Sequence, residues 1–151
     1  MLIVKNGDVL KATENIICHQ VNHKGIMGGG LALAIARKYP NCLHEYKAFC
    51  ESYNFNYEVL KGLVMAVRIH DNQKIANCFT QDPNFNTDYE ALREAFEEIL
   101  WFCKNDKTTV AIPYNYGCGI ANGNWDTVTE ILEELSDMYQ VDINIYKLED
   151  K

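Results

Sequence analysis

The chain has 151 residues, 48% hydrophobic and 23% charged, enough for one globular core spanning 1–151 and too short for a second sizeable domain. Its 14 basic against 21 acidic residues give a formal charge of −7, which argues against a broad basic face that grips nucleic acid. The opening residues turn polar too soon for a signal peptide and no apolar run is long enough to span a bilayer, so a cytoplasmic location and no membrane partner are expected.

Strand-like and helix-like segments alternate along the chain. Met1 to Lys5 and Ile16 to Val21 read as strands, Leu31 to Lys38 as a helix stopped by Pro40, and Cys42 to Tyr53 as a second helix. Leu63 to Ile69 and Ile75 to Phe79 form a strand pair, with Asp71-Asn72 in the turn between them. Thr87-Asp88-Tyr89-Glu90 has the pattern of a capping box, followed by an amphipathic stripe of Leu92, Ala95, Phe96, Ile99, Leu100 and Cys103. Trp101 and Phe102 are expected to pack on this helix. Thr109 to Tyr114 reads as a buried strand, Trp125 to Met138 as a helix and Val141 to Leu148 as the last strand. The expected class is α/β, a three-layer α/β/α domain with a central mixed sheet.

Two glycine-rich loops, Gly25-Ile26-Met27-Gly28-Gly29-Gly30 and Gly117-Cys118-Gly119-Ile120-Ala121-Asn122-Gly123, each follow a strand and precede a helix. Glycine allows close backbone approach to a ligand, and a helix start offers unpaired N–H groups with partial positive charge. A pair of such loops at the carboxyl ends of strands predicts a diphosphate held from both sides. The first lacks the Lys-Ser/Thr of a P-loop, and the second reads G-x-G-x-x-x-G, outside the dinucleotide fingerprint. The six cysteines show no C-x-x-C spacing and the four histidines no ligand spacing, so reduced thiols, no metal and no cofactor are expected. Cys118 lies near a helix start, where a thiol is activated or simply packs under the loop; no adjacent His favours the first.

These pieces resemble a macrodomain, the ADP-ribose-binding module. The resemblance rests on Asn6-Gly7-Asp8-Val9, Cys18-His19-Gln20-Val21-Asn22 leading to the first glycine loop and Leu31-Ala32, Lys38-Tyr39-Pro40, Ile75-Ala76-Asn77, Thr87-Asp88-Tyr89, and Ile112-Pro113 before the second loop. They occur in family order across nearly the whole chain. The resemblance implies that Asp8 receives the adenine amino group beside the Val9 backbone; the residues alone favour Asp8 as the cap of a turn after Gly7. It further implies that Asn22, Gly28, Gly29, Gly30 and Ala32 lie against the distal ribose and diphosphate. Pro113, Tyr114, Gly117, Cys118, Gly119, Ile120, Ala121 and Asn122 would close from the other side. Tyr114, Tyr116 and Phe79 are candidate covers for ribose or adenine.

Within the family the loops are similar to those of ADP-ribose-1″-phosphate phosphatases and ADP-ribosyl hydrolases. The glycohydrolases of that subgroup use a Lys after the Ile75 to Phe79 strand and an Asp in the second loop. Here those stretches read Phe79-Thr80-Gln81 and Gly119-Ile120-Ala121, with neither residue. In phosphatase-like members a His on the strand before the first loop sits near the terminal phosphate, and His19 matches it; alone, a His in an apolar strand is as well read as a core residue. His19 as proton donor or water-orienting group, and Asn22 as its partner, are the expected catalytic residues, with His23 and Lys24 as attractants for the phosphate. The implied ligand is ADP-ribose or ADP-ribose-1″-phosphate and the implied activity is phosphatase-type hydrolysis. The alternatives are a non-catalytic reader of ADP-ribosylated protein or nucleic acid, and a mono-ADP-ribosyl hydrolase.

Overall fold

A computed structural model describes residues 1–149. Its six strands are β1 (Leu2–Asn6), β2 (Ile16–Val21), β3 (Val64–His70), β4 (Gln73–Phe79), β5 (Val110–Pro113) and β6 (Ile143–Lys147), arranged in the order β1-β6-β5-β2-β4-β3. All neighbours pair in parallel except β3 and β4, the hairpin closed by Asp71 and Asn72. The carboxyl ends of β1, β2, β4, β5 and β6 therefore share one edge of the sheet, and the loops that leave them converge there.

Successive residues of a strand face opposite sides, and β2 shows how the sequence uses this. Ile16 and Cys18 join the core under α4 (Tyr89–Asp106) and α5 (Trp125–Tyr139), whereas Ile17 and Val21 join the core under α1 (Gly30–Lys38), α2 (Pro40–Ser52) and α3 (Tyr57–Leu60). The near-continuous apolar run of β2 is what a strand buried on both faces requires. The three-layer α/β/α arrangement expected from the sequence is the one observed. A helical turn over Val9–Lys11 and the short α3 were not visible in the pattern, being too brief for a periodic signal.

Helix starts are set by side chains. Asn124 caps α5 by accepting from Thr127 N at 3.2 Å. On α4 the capping residue is Asp88, which accepts from Ala91 N at 3.1 Å, and not Thr87 as the capping-box pattern suggested. Thr87 serves the second glycine loop instead, donating its hydroxyl to Gly117 O at 2.5 Å while its N–H donates to Ala121 O at 3.0 Å. Pro40 both ends α1 and opens α2, because its ring suits a first helical position and it has no N–H to leave unpaired. Among the described residues no helix is long and apolar enough to cross a membrane.

Candidate functional site

The converging loops enclose a cleft of two continuous lobes. The first, about 470 Å³, is lined by both glycine loops together with His19, Asn22, Gln81 and Phe85; the second, about 530 Å³, lies between Gly7-Asp8-Val9 and Tyr146-Lys147. Gly30, Leu31, Pro113, Tyr114 and Asn115 border both lobes, so one elongated ligand can run from Asp8, past the glycines, to Phe85.

The first lobe is a backbone-built anion cradle. No charged side chain lines it among the described residues. Gly29 starts α1 without a side-chain cap, which leaves the first-turn N–H groups of Gly30, Leu31 and Ala32 for whatever fills the cleft. Gly30 sits at φ +56°, and a Cβ there would project into open space. From Gly29 a Cβ would stand 3.5 Å from Ile120 Cδ1, so the two loops meet across the cleft at that point. Ile120 is 78% exposed at the tip of the second loop.

The second loop owes its shape to two other glycines. Gly117 holds φ +72°, and a Cβ there would fall 2.7 Å from Thr87 Oγ1; a Cβ on Gly123 would fall 2.3 Å from Gly117 O. Both are packing requirements, with no ligand needed to explain them. Two of the expected lining residues are turned elsewhere. Cys118 Sγ donates to Tyr116 O at 3.3 Å and packs on the α4–α5 core, its pKa raised by burial, so the activated-thiol reading does not hold. Asn122, at φ +57°, directs its amide toward Asn86, 3.5 Å away, because the loop doubles back at that residue. Gly119, Ile120 and Ala121 do line the cleft.

Asp8 combines both readings open in the sequence. Its Oδ1 accepts from Leu10 N at 2.9 Å and caps the Val9–Lys11 turn, and the residue borders the second lobe. Its carboxylate makes no other hydrogen bond among the described residues. Val9 is buried in the same wall.

Asn22 borders the cleft, yet its carboxamide chiefly builds the first loop. Nδ2 donates to Ile26 O at 2.9 Å, Oδ1 accepts from Lys24 N at 2.9 Å, and the Tyr46 hydroxyl donates its one proton to the Asn22 backbone O at 2.5 Å. One Nδ2 proton is left for a ligand.

His19 is 1% exposed. Its Nε2 is 2.6 Å from Asn77 Oδ1, and Asn77 in turn donates from Nδ2 to Met65 O at 3.0 Å. The Asn77 carbonyl can only accept, so Nε2 carries the proton and Nδ1 is a bare acceptor, buried without a protein partner. Burial lowers the pKa from 6.5 to about 4, with the Asn77 bond opposing in part. The ring is neutral at pH 7, which removes the proton-donor role expected from the sequence and leaves that of an acceptor.

Other expectations change for the same reason. His23 is buried edge-to-face on Tyr57, and burial together with Lys24 lowers its pKa, so it brings no charge to a phosphate. Tyr116 and Phe79 are core residues: Tyr116 Oη meets Thr80 Oγ1 at 2.8 Å, and Phe79 packs on Tyr46 and Phe49. Of the three proposed covers, Tyr114 lines the cleft, backed by Trp125 at 5.0 Å between ring centroids; Tyr116 also borders it but is 2% exposed, and Phe79 does not reach it. Trp101 is 59% exposed on the outer face of α4, where it and Phe102 border a separate groove of about 200 Å³, contrary to the expectation that they pack inward. Phe85 and Asn115 line the cleft without having been signalled by any motif, and Gln20 and Gln81, quoted in the resemblance without a ligand role, line it too. Among the described residues no group of His, Cys, Asp or Glu is placed to hold a metal.

A parallel-sheet edge carrying two opposed glycine loops and a capping carboxylate defines an α/β nucleotide-type binding module. The chain belongs to the macrodomain family: the family profile of the Macro domain matches residues 18–132. It is 33% identical over 95% of its length to Polyprotein P1234 of Venezuelan equine encephalitis virus (strain P676), of which it spans about 6%. It is 26% identical to the ADP-ribose 1″-phosphate phosphatase of Lodderomyces elongisporus, over 89% of this chain and 87% of that one. The macrodomain of Mycobacterium tuberculosis DarG shares its fold, with a TM-score of 0.81 and 24% identity over 97% of both chains.

Proposed function

We propose that the cleft binds ADP-ribose and that the protein hydrolyses ADP-ribose-1″-phosphate. The observation that carries the binding half is the meeting of the two glycine loops at Gly29 and Ile120 over a lobe free of carboxylates. Oriented N–H dipoles there stabilise a diphosphate without any Lys or Arg. Asp8, at the other end, supplies an acceptor for an exocyclic amine, and the likeness to a named ADP-ribose 1″-phosphate phosphatase supports the same reading.

In the reaction, water attacks phosphorus and the bond from phosphorus to O1″ breaks, giving inorganic phosphate and ADP-ribose. We assign the orientation of that water to the free Nδ2 proton of Asn22, with His19, whose Nδ1 is sealed from solvent, as a positioning residue in the wall behind it. Both residues border the lobe beyond the glycine loops. A water that is oriented without a general base or acid in contact with it reacts slowly, so turnover is modest.

The test is phosphate release from ADP-ribose-1″-phosphate. Wild type is expected to release phosphate above the uncatalysed rate, and His19→Ala to lower kcat by roughly 10²-fold with ADP-ribose affinity retained. Tight binding without release in wild type would make the protein a reader of ADP-ribosylated molecules.

A further inference from the structure

The segment between β4 and α4 forms a third wall of the cleft. Phe85 sits there at φ +63°, a left-handed conformation that a bulky side chain rarely adopts. A tight turn around Asp82 holds it: Phe85 N donates to Asp82 O at 2.9 Å, Asp82 N donates to Asn86 O at 2.7 Å, and Asp82 Oδ1 accepts from Asn84 N and Asn86 N at 2.8 and 3.0 Å. A strained residue persists only where its surroundings over-determine it, and here the result is an aromatic ring 40% exposed at the mouth of the first lobe.

Beside that ring stands Lys24, the residue before the first glycine loop, outside the lobe's own lining. Its Nζ lies 5.9 Å from the Phe85 ring centroid, and no carboxylate pairs with it among the described residues. The loop fixes the Lys24 backbone through its N–H on Asn22 Oδ1. A cation resting on a ring face is held in place while its donors stay available. This pair lies beyond the glycine loops as seen from Asp8, at the end where the distal ribose and its substituent would emerge.

We propose that Phe85 and Lys24 form the subsite for the substituent on the distal ribose, and that Lys24 selects a phosphoryl group there over a plain hydroxyl. The ring supplies an apolar wall to the sugar, whichever substituent it carries. The ammonium supplies charge only to a phosphoryl group. The inference rests on the reading of the cleft as an ADP-ribose site.

The experiment compares ADP-ribose with the phosphonate analogue of ADP-ribose-1″-phosphate, in which carbon replaces the scissile oxygen, by competition against a labelled ADP-ribose probe. Wild type is expected to prefer the phosphonate by about fivefold, the scale of an exposed ion pair, and to lose the preference at high salt. Lys24→Met should abolish the preference and keep ADP-ribose affinity within about twofold, whereas Phe85→Ala should weaken both ligands alike by several fold. Equal affinities in wild type, or an unchanged preference in Lys24→Met, overturn the inference while leaving the ADP-ribose site intact. Failure of wild type to bind either ligand overturns both.

Discussion

Asp8 Oδ1 is already engaged by Leu10 N, so the group available to a ligand is the second carboxylate oxygen. Asp8→Asn keeps an acceptor for the cap and removes the charge and that second acceptor. It is expected to weaken ADP-ribose binding by about 1.5–3 kcal/mol, the scale of a hydrogen bond to a charged group, with little change in Tm. A calorimetric affinity unchanged in Asp8→Asn would take Asp8 out of the site. His19 makes a second prediction at this scale. Its pKa is about 4 in the folded state against 6.5 ordinarily, so between those values the unfolded chain binds more protons and stability falls as pH falls. The contribution is fully present above pH 6.5 and about 3 kcal/mol of it is lost by pH 4. Denaturant midpoints measured across that window should fall less steeply in His19→Gln than in wild type; parallel curves would mean the ring is not buried and neutral.

At the scale of elements, the glycines divide by cause. Gly28 and Gly29 face ordinary contacts, so a ligand's approach is what a side chain there would disturb; Gly30 is also demanded by its left-handed backbone, and Gly117 and Gly123 by Thr87 and by the loop's own backbone. Gly123→Ala should therefore displace the whole second loop, lowering ADP-ribose affinity at least tenfold while the buried sheet keeps its hydrogen-exchange protection. Wild-type affinity in that variant would show that the loop is not part of the clamp. The strands, the long helices and both loops were legible because each has a length or periodicity that the sequence displays. Thr87 misled because its hydroxyl serves a loop thirty residues away in place of its own helix, a contact with no local pattern. Phe85 stayed hidden for the same reason: it enters the cleft from a connection whose path depends on Asp82, not on any repeat. The aromatic residues were separable only in three dimensions, since Tyr116 and Phe79 stand on inward faces and Tyr114 does not.

For the molecule as a whole, a formal charge of −7 leaves free of carboxylates the lobe at the carboxyl edge of the parallel strands, where the uncapped start of α1 opens. The family resemblance in the sequence captured that architecture, while within it the Cys118 thiol and the Asn122 amide turn away from the cleft, His23 packs on Tyr57, and His19 Nε2 meets Asn77 Oδ1. The central claim, that the cleft between the glycine loops holds ADP-ribose, is tested most directly by calorimetric titration of wild type and Gly29→Glu with ADP-ribose. Saturable binding at one site in wild type and none in a folded Gly29→Glu is the predicted result, because the added carboxylate would stand beside Ile120 in the diphosphate's path. Absence of binding in wild type, or undiminished binding in Gly29→Glu, would contradict it.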